Sequence, residues 1–160
     1  ILMLLATYGL RAGEVTRLRL DGIDWRAERL RFRQSKSGGE FLLPLVAPVG
    51  EALLAYLERG RPKTDAREVF LRANAPHSPL RWGGSLYSII QRRRKQAGIE
   101  VKGRRGSHAF RYARAASLLR ASVPLKAIGD LLGHHSAEST EVYLRLATDD
   151  LRAISLELPA

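Results

Sequence analysis

Apolar residues recur along this chain with two different periods, and each change of period marks a change of element. Ile1–Tyr8 is nearly all apolar and is broken by Gly9, the pattern of a buried helix. A second helix is expected over Ala12–Arg19, with Val15, Leu18 and Leu20 facing inward. Asp21–Trp25 reads as a short first strand. Leu30 and Phe32 then alternate with Arg29, Arg31 and Arg33, the two-residue period of a half-buried strand. Ser37-Gly38-Gly39 is a turn signal, and Phe41–Leu45 is the returning strand, stopped by Pro44 and Pro48.

From Pro48 onward the period is helical. Pro48 suits a first helical turn, and Leu53, Leu54 and Leu57 form the expected inner face up to Gly60. Val69-Phe70-Leu71 reads as a brief extended piece between loops. A helix over Ser85–Ala97 puts Leu86, Ile89 and Ile90 inward and Arg92, Arg93, Arg94 and Lys95 outward, with Gly98 as its C-terminal cap. Ser107 is the expected N-cap of a helix over His108–Arg120. Pro124 opens the next, which ends at Gly133. Ser136 caps a helix carrying Tyr143, and Asp149–Ser155 forms a last short one. The expected fold is mainly α with a small three-stranded antiparallel β-sheet, an α+β arrangement. A chain of 160 residues without repeats or a long linker suits one domain.

Charge narrows the choice of partner. Lys and Arg number 27 against 16 Asp and Glu, a formal charge of +11, and the isoelectric point is near 10.8. Such an excess points to a polyanion, most simply nucleic acid. The absence of cysteine excludes a disulfide scaffold or a cysteine-based metal site, and it fits an intracellular setting. The apolar stretch at Ile1–Ala6 is far below the ~20 residues that span a bilayer, so no membrane partner is expected. The chain begins inside that apolar run, which reads as a first helix cut short.

Several residues offer phosphate chemistry. His108 and Arg111, three apart, share one face of a first helical turn, where free N–H groups also favour an anion. Arginine adds a planar fork matched to two phosphate oxygens. Taken alone, the pair also reads as a capping histidine and a solvated arginine. Arg11 and Glu14, again three apart, read either as a held guanidinium or as a surface ion pair worth about 0.3–0.5 kcal/mol. His134 follows Gly133 between two expected helices, and Lys36 lies in the expected hairpin turn. Tyr143 is a core residue or a nucleophile whose oxyanion nearby cations stabilise. Lys102, Arg104, Arg105, Arg92 and Arg93 are candidates for positioning a nucleic acid through its phosphates.

The ordered set Gly9-Leu10-Arg11 through Glu14, Lys36, His108-Ala109-Phe110-Arg111, Leu131-Leu132-Gly133-His134 and Tyr143 resembles the catalytic domain of the tyrosine recombinases, the phage integrase family, over nearly all of the chain. Phe110 and Tyr112 depart from the commoner residues of that pattern without removing a catalytic group. The resemblance implies a single catalytic domain over residues 1–160, with the usual N-terminal DNA-clamping domain absent. It implies that Arg11 and Arg111 clamp a scissile phosphate and Tyr143 attacks it. Lys36 protonates the leaving oxygen, His108 exchanges a proton with the tyrosine, and His134 hydrogen-bonds the phosphate. It implies no metal and no cofactor, because side chains supply the positive charge. The implied partner is double-stranded DNA in site-specific recombination or integration of a mobile element, at the cytoplasmic nucleoid. A homotetramer is expected on DNA for the full-length protein and a monomer for this chain alone, with weak, salt-dependent binding. A type IB topoisomerase-like enzyme and a non-catalytic DNA-binding relic are the alternatives.

Overall fold

The computed structural model describes residues 1–34, 38–81, 84–100 and 106–132. The expectations for Lys36, for Lys102, Arg104 and Arg105, and for His134, Tyr143 and the two last helices lie outside the described residues.

Helix α1, Leu2–Tyr8, buries Leu4, Leu5 and Tyr8. It ends at Gly9, whose φ of 65° is left-handed and open to glycine at no steric cost. Helix α2 covers Ala12–Thr16, shorter than the predicted Ala12–Arg19. The chain leaves the helix because a distant segment takes over its backbone. The Val69 N–H donates to the Leu18 carbonyl, and the Leu20 N–H donates to Arg67, each at 2.8 Å. Leu18 itself is buried in the core. The predicted strand over Asp21–Trp25 becomes a 3₁₀ turn at Leu20–Gly22 followed by a two-residue β1, Ile23–Asp24.

Strands β2, Arg29–Arg33, and β3, Glu40–Pro44, complete an antiparallel sheet of order β1-β2-β3. The period-2 reading holds here. Leu30 and Phe32 are buried, and Arg29, Arg31 and Arg33 face out. Leu30 pairs with Leu43 and Phe32 with Phe41, whose rings stack with centroids 5.6 Å apart.

Helix α3, Ala47–Arg59, carries Pro48 in its first turn and buries Val49 and Leu53. Leu54, expected inward, is instead exposed. The Tyr8 hydroxyl ties α1 to the entry of α3, donating to the Pro44 carbonyl at 2.6 Å and accepting from the Val46 N–H at 3.4 Å. Burial raises that phenol above its ordinary value, against a smaller opposing effect of the Val46 bond. The loop after α3 is fastened by Arg61, whose guanidinium donates to the carbonyls of Ala66, Glu68 and Val69.

Helix α4, Gly84–Gln96, buries Leu86 and Ile90. Helix α5 spans Ser107–Arg120 and α6 spans Leu125–Leu131. Ser107 is not the cap predicted for α5. Gly106 occupies that position, and no side chain caps the helix, because Ser107 is already in its first turn. The main core joins α1, the inner sheet face, α3 and α4. A smaller cluster of Ala115, Ile128 and Leu132 seals α5 against α6.

Candidate functional site

The site grows from the tight corner between α1 and α2. Gly9 lets the chain turn sharply, and the turn passes so close to α5 and the end of α6 that a Cβ at position 9 would lie 2.9 Å from Leu132 Cδ2 and 3.4 Å from Arg114 Cβ. Arg11 follows as the residue that caps α2, in extended conformation. Glu14 reaches back to it twice. Its Oε2 accepts the Arg11 backbone N–H at 2.7 Å, and its Oε1 accepts from the guanidinium at 3.1 Å. The carboxylate is only 2% exposed and the Arg11 side chain 24%. The surface-pair reading of these two residues is therefore corrected: the pair is anchored inside the fold and holds Arg11 at the protein's edge.

Arg111 comes from the first turns of α5 and is buried, at 4% exposure. Its guanidinium donates to the Gly9 carbonyl at 2.9 Å and to the Leu132 carbonyl. These acceptors lie two residues before Arg11 and two residues before His134 in sequence. One side chain thus fastens three segments singled out in the sequence at a single place. A solvated Arg111 is excluded. His108 lies one turn before Arg111 on α5 and is exposed. The side-chain oxygen expected from Ser107 does not occupy the first-turn amides of α5.

Arg114, one turn beyond Arg111, was not singled out from the sequence. Its buried Nε has no hydrogen-bond partner among the described residues, and its Cβ packs toward Gly9. The legible signal was its spacing, three residues on from Arg111 along one helix face. Among the described residues no cluster of three His, Cys, Asp or Glu side chains is arranged to hold a metal ion.

The basic run on α4 does not form one outward face. Arg92 is exposed, and Arg93 donates to the Gln96 side chain at 3.1 Å. Arg94 is half-buried and donates to the Ile99 carbonyl. Arg93 and Arg94 rim an apolar groove of about 510 Å³ whose floor includes Leu2, Ile90, Phe110 and Ala113. Their stems cover apolar surface, as long basic side chains commonly do. None of these α4 side chains contacts Arg11 or Arg111 in the hydrogen bonds described.

The fold to compare with known proteins is a mainly helical domain with a three-stranded antiparallel sheet, in which Arg111 of α5 is bonded to the turn that leads into Arg11. Residues 1–149 match the model of the phage integrase family, and the chain belongs to that family of tyrosine recombinases. A Sinorhizobium fredii protein named as an integrase/recombinase, y4gC, is 58% identical over 159 residues, covering 99% of this chain and 81% of that protein. The tyrosine recombinase XerD of Mycobacterium tuberculosis is 31% identical over 159 residues, covering 96% of this chain and 49% of XerD. Among solved structures, XerA recombinase superposes with a TM-score of 0.76 at 24% identity, over 98% of this chain and 57% of that one. XerH bound to its difH substrate after cleavage gives 0.75 at 21% identity, over 96% of this chain and 43% of XerH. The chain therefore spans about half the length of the Xer recombinases it resembles. No helix among the described residues is long and apolar enough to cross a membrane.

Proposed function

We propose that this chain is the catalytic domain of a site-specific recombinase that cuts and rejoins strands of duplex DNA through a 3′-phosphotyrosine. The observation that carries the reading is the pair of bonds from Arg111 to the Gly9 and Leu132 carbonyls, which draws the Arg11 turn and the segment leading to His134 toward one buried guanidinium. XerH, similar in fold, has been seen on DNA both before and after cleavage, which supports duplex DNA as the partner here.

In this reading Arg11 and Arg111 bind the nonbridging oxygens of one phosphodiester and stabilise the charge that grows in its five-coordinate transition state. The Tyr143 hydroxyl oxygen attacks phosphorus while its proton passes to His108. The bond from phosphorus to the 5′ oxygen breaks, and that oxygen takes a proton from Lys36 to leave as a 5′-hydroxyl. His134 hydrogen-bonds the phosphate. Glu14 keeps Arg11 in place. Rejoining is the same step in reverse, with a 5′-hydroxyl attacking the phosphotyrosine, so one bond replaces another and no external energy source is consumed. The longer protein acts as a tetramer on two duplexes, and this chain alone is a monomer.

The test is covalent trapping. The chain is incubated with a pool of nicked duplexes of randomised central sequence, in which the short cleaved fragment diffuses away, and adducts are read on a denaturing gel. Wild-type protein is expected to yield an adduct that Tyr143→Phe abolishes. An adduct that persists in Tyr143→Phe removes Tyr143 as nucleophile. Duplex binding with no adduct favours a non-catalytic binding module.

A further inference from the structure

The outward face of β2 carries an unbroken row of arginines that the recombination chemistry above does not use. Arg29, Arg31 and Arg33 are all exposed, while Leu30 and Phe32 between them anchor the strand in the core. Successive outward residues on a strand stand about 6.8 Å apart, so the row is a rigid rail of three guanidinium groups. Its stiffness comes from the antiparallel ladder with β3 along the whole strand and with β1 at Arg29 and Leu30.

The surroundings compensate this charge only in part. Arg29 stands between Pro44 of β3 and Asp24 of β1, and Asp24 accepts the backbone N–H groups of Arg26 and Ala27; Arg31 faces Leu42, which is not acidic. Among the described residues neither arginine forms an ion pair. Arg33 faces Glu40 across the ladder and donates to the Gly38 carbonyl at 3.3 Å. Beside the row opens a groove of about 380 Å³ that Arg31 and Arg33 share with Arg17 and Arg19. Its carboxylates are Asp21, Glu40 and Glu68, and Asp21 is already bonded to Arg19. Leu42, beside Arg31, is 54% exposed, so the face is not a wholly polar, evenly mixed surface.

We infer that the outer face of β2 is a second phosphate-binding surface, which grips the backbone of duplex DNA through Arg29, Arg31 and Arg33. This rests on the proposed function, because the duplex held at Arg11 and Arg111 is the one this face continues to hold. Contacts of this kind position a protein without reading base sequence.

The experiment measures duplex affinity of the full chain across a salt series, using a mixed-sequence duplex of defined length. The variants are the triple substitution Arg29→Gln, Arg31→Gln, Arg33→Gln and the matching triple Arg→Lys. Each phosphate contact contributes about 0.9 to the slope of log affinity against log salt, so the Gln triple is expected to flatten the slope by about 2.7. The Lys triple should keep the wild-type slope, because charge and not fork geometry is read. Adduct formation at saturating protein and low salt should survive in both. A Gln triple with the wild-type slope overturns the inference and leaves the proposed function standing. Equal loss in the Gln and Lys triples, or a changed melting temperature in both, assigns the effect to the strand's structure and also overturns it. Wild-type protein that binds no duplex at all overturns both proposals together.

Discussion

Two arginine–carboxylate pairs stand at opposite ends of the short helix α2, and their distances barely differ. Arg11 NH1 lies 3.1 Å from Glu14 Oε1, and Arg19 Nε lies 3.2 Å from Asp21 Oδ1. Their surroundings differ completely. Glu14 is 2% exposed, whereas Asp21 is 54% exposed. Water screens the second pair, and two long side chains must be immobilised to keep it, so its net worth is small. The first pair sits where water is scarce, and the Glu14 carboxylate also takes the Arg11 backbone N–H. Distance alone ranks the two as equals, and burial separates them.

The largest expected effect lies at the buried end. Arg11→Ala leaves the Glu14 carboxylate inside the protein with its guanidinium partner gone, and this should cost about 3 kcal/mol of unfolding free energy, as for other broken buried pairs. Urea denaturation checks it, and a loss below about 0.5 kcal/mol would place this pair in the surface class. Next is Gly9→Ala. An alanine there must adopt a left-handed φ of 65° with its Cβ 2.9 Å from Leu132 Cδ2. About 2 kcal/mol of destabilisation is expected from strain of that kind. An unchanged denaturation midpoint would show that the corner relaxes and is not tightly pinned.

The smallest effect belongs to Asp21→Asn. The hydrogen bond from Arg19 is the main reason that the Asp21 carboxyl titrates below its usual range, with its own backbone and the charges of Arg19 and Arg67 adding to it. A carboxyl with a lowered folded-state value contributes stability above its unfolded value, near 3.8, and loses it as the pH falls through the folded one. At this exposed position the contribution should vanish into solvent screening. Thermal melts of wild type and Asp21→Asn at physiological salt are expected to coincide from pH 5 to 8. A clear loss on substitution would break the contrast between the two pairs.

The sequence made some of this legible and hid the rest. The alternation of Leu30 and Phe32 with three arginines announced β2, because a strand's facing is fixed by a period of two. Gly9, Pro48 and Gly98 marked helix ends through backbone preferences that act locally. The shortness of α2 was not legible, because it is imposed by Val69 and Arg67, about fifty residues away. The spacing of Arg11 and Glu14 correctly suggested their contact but said nothing of its depth, and the spacing of His108 and Arg111 did not tell that one is exposed and the other buried. Depth is set by what packs above, and at Gly9 that is Leu132 and Arg114 of the α5–α6 corner. Ser107 misled because serine is a good cap in isolation, while the chain placed Gly106 at that position.

The two carbonyl bonds of Arg111 carry a consequence for how its variants behave. A clasp that joins three distant stretches of chain fails mechanically and chemically at the same moment. An inactive Arg111→Ala protein would therefore have lost its latch as well as the proposed grip on phosphate. Arg111→Lys separates the two: a single ammonium keeps the charge but cannot span both latch points, so the share of activity it loses measures how much of the residue's importance is carpentry.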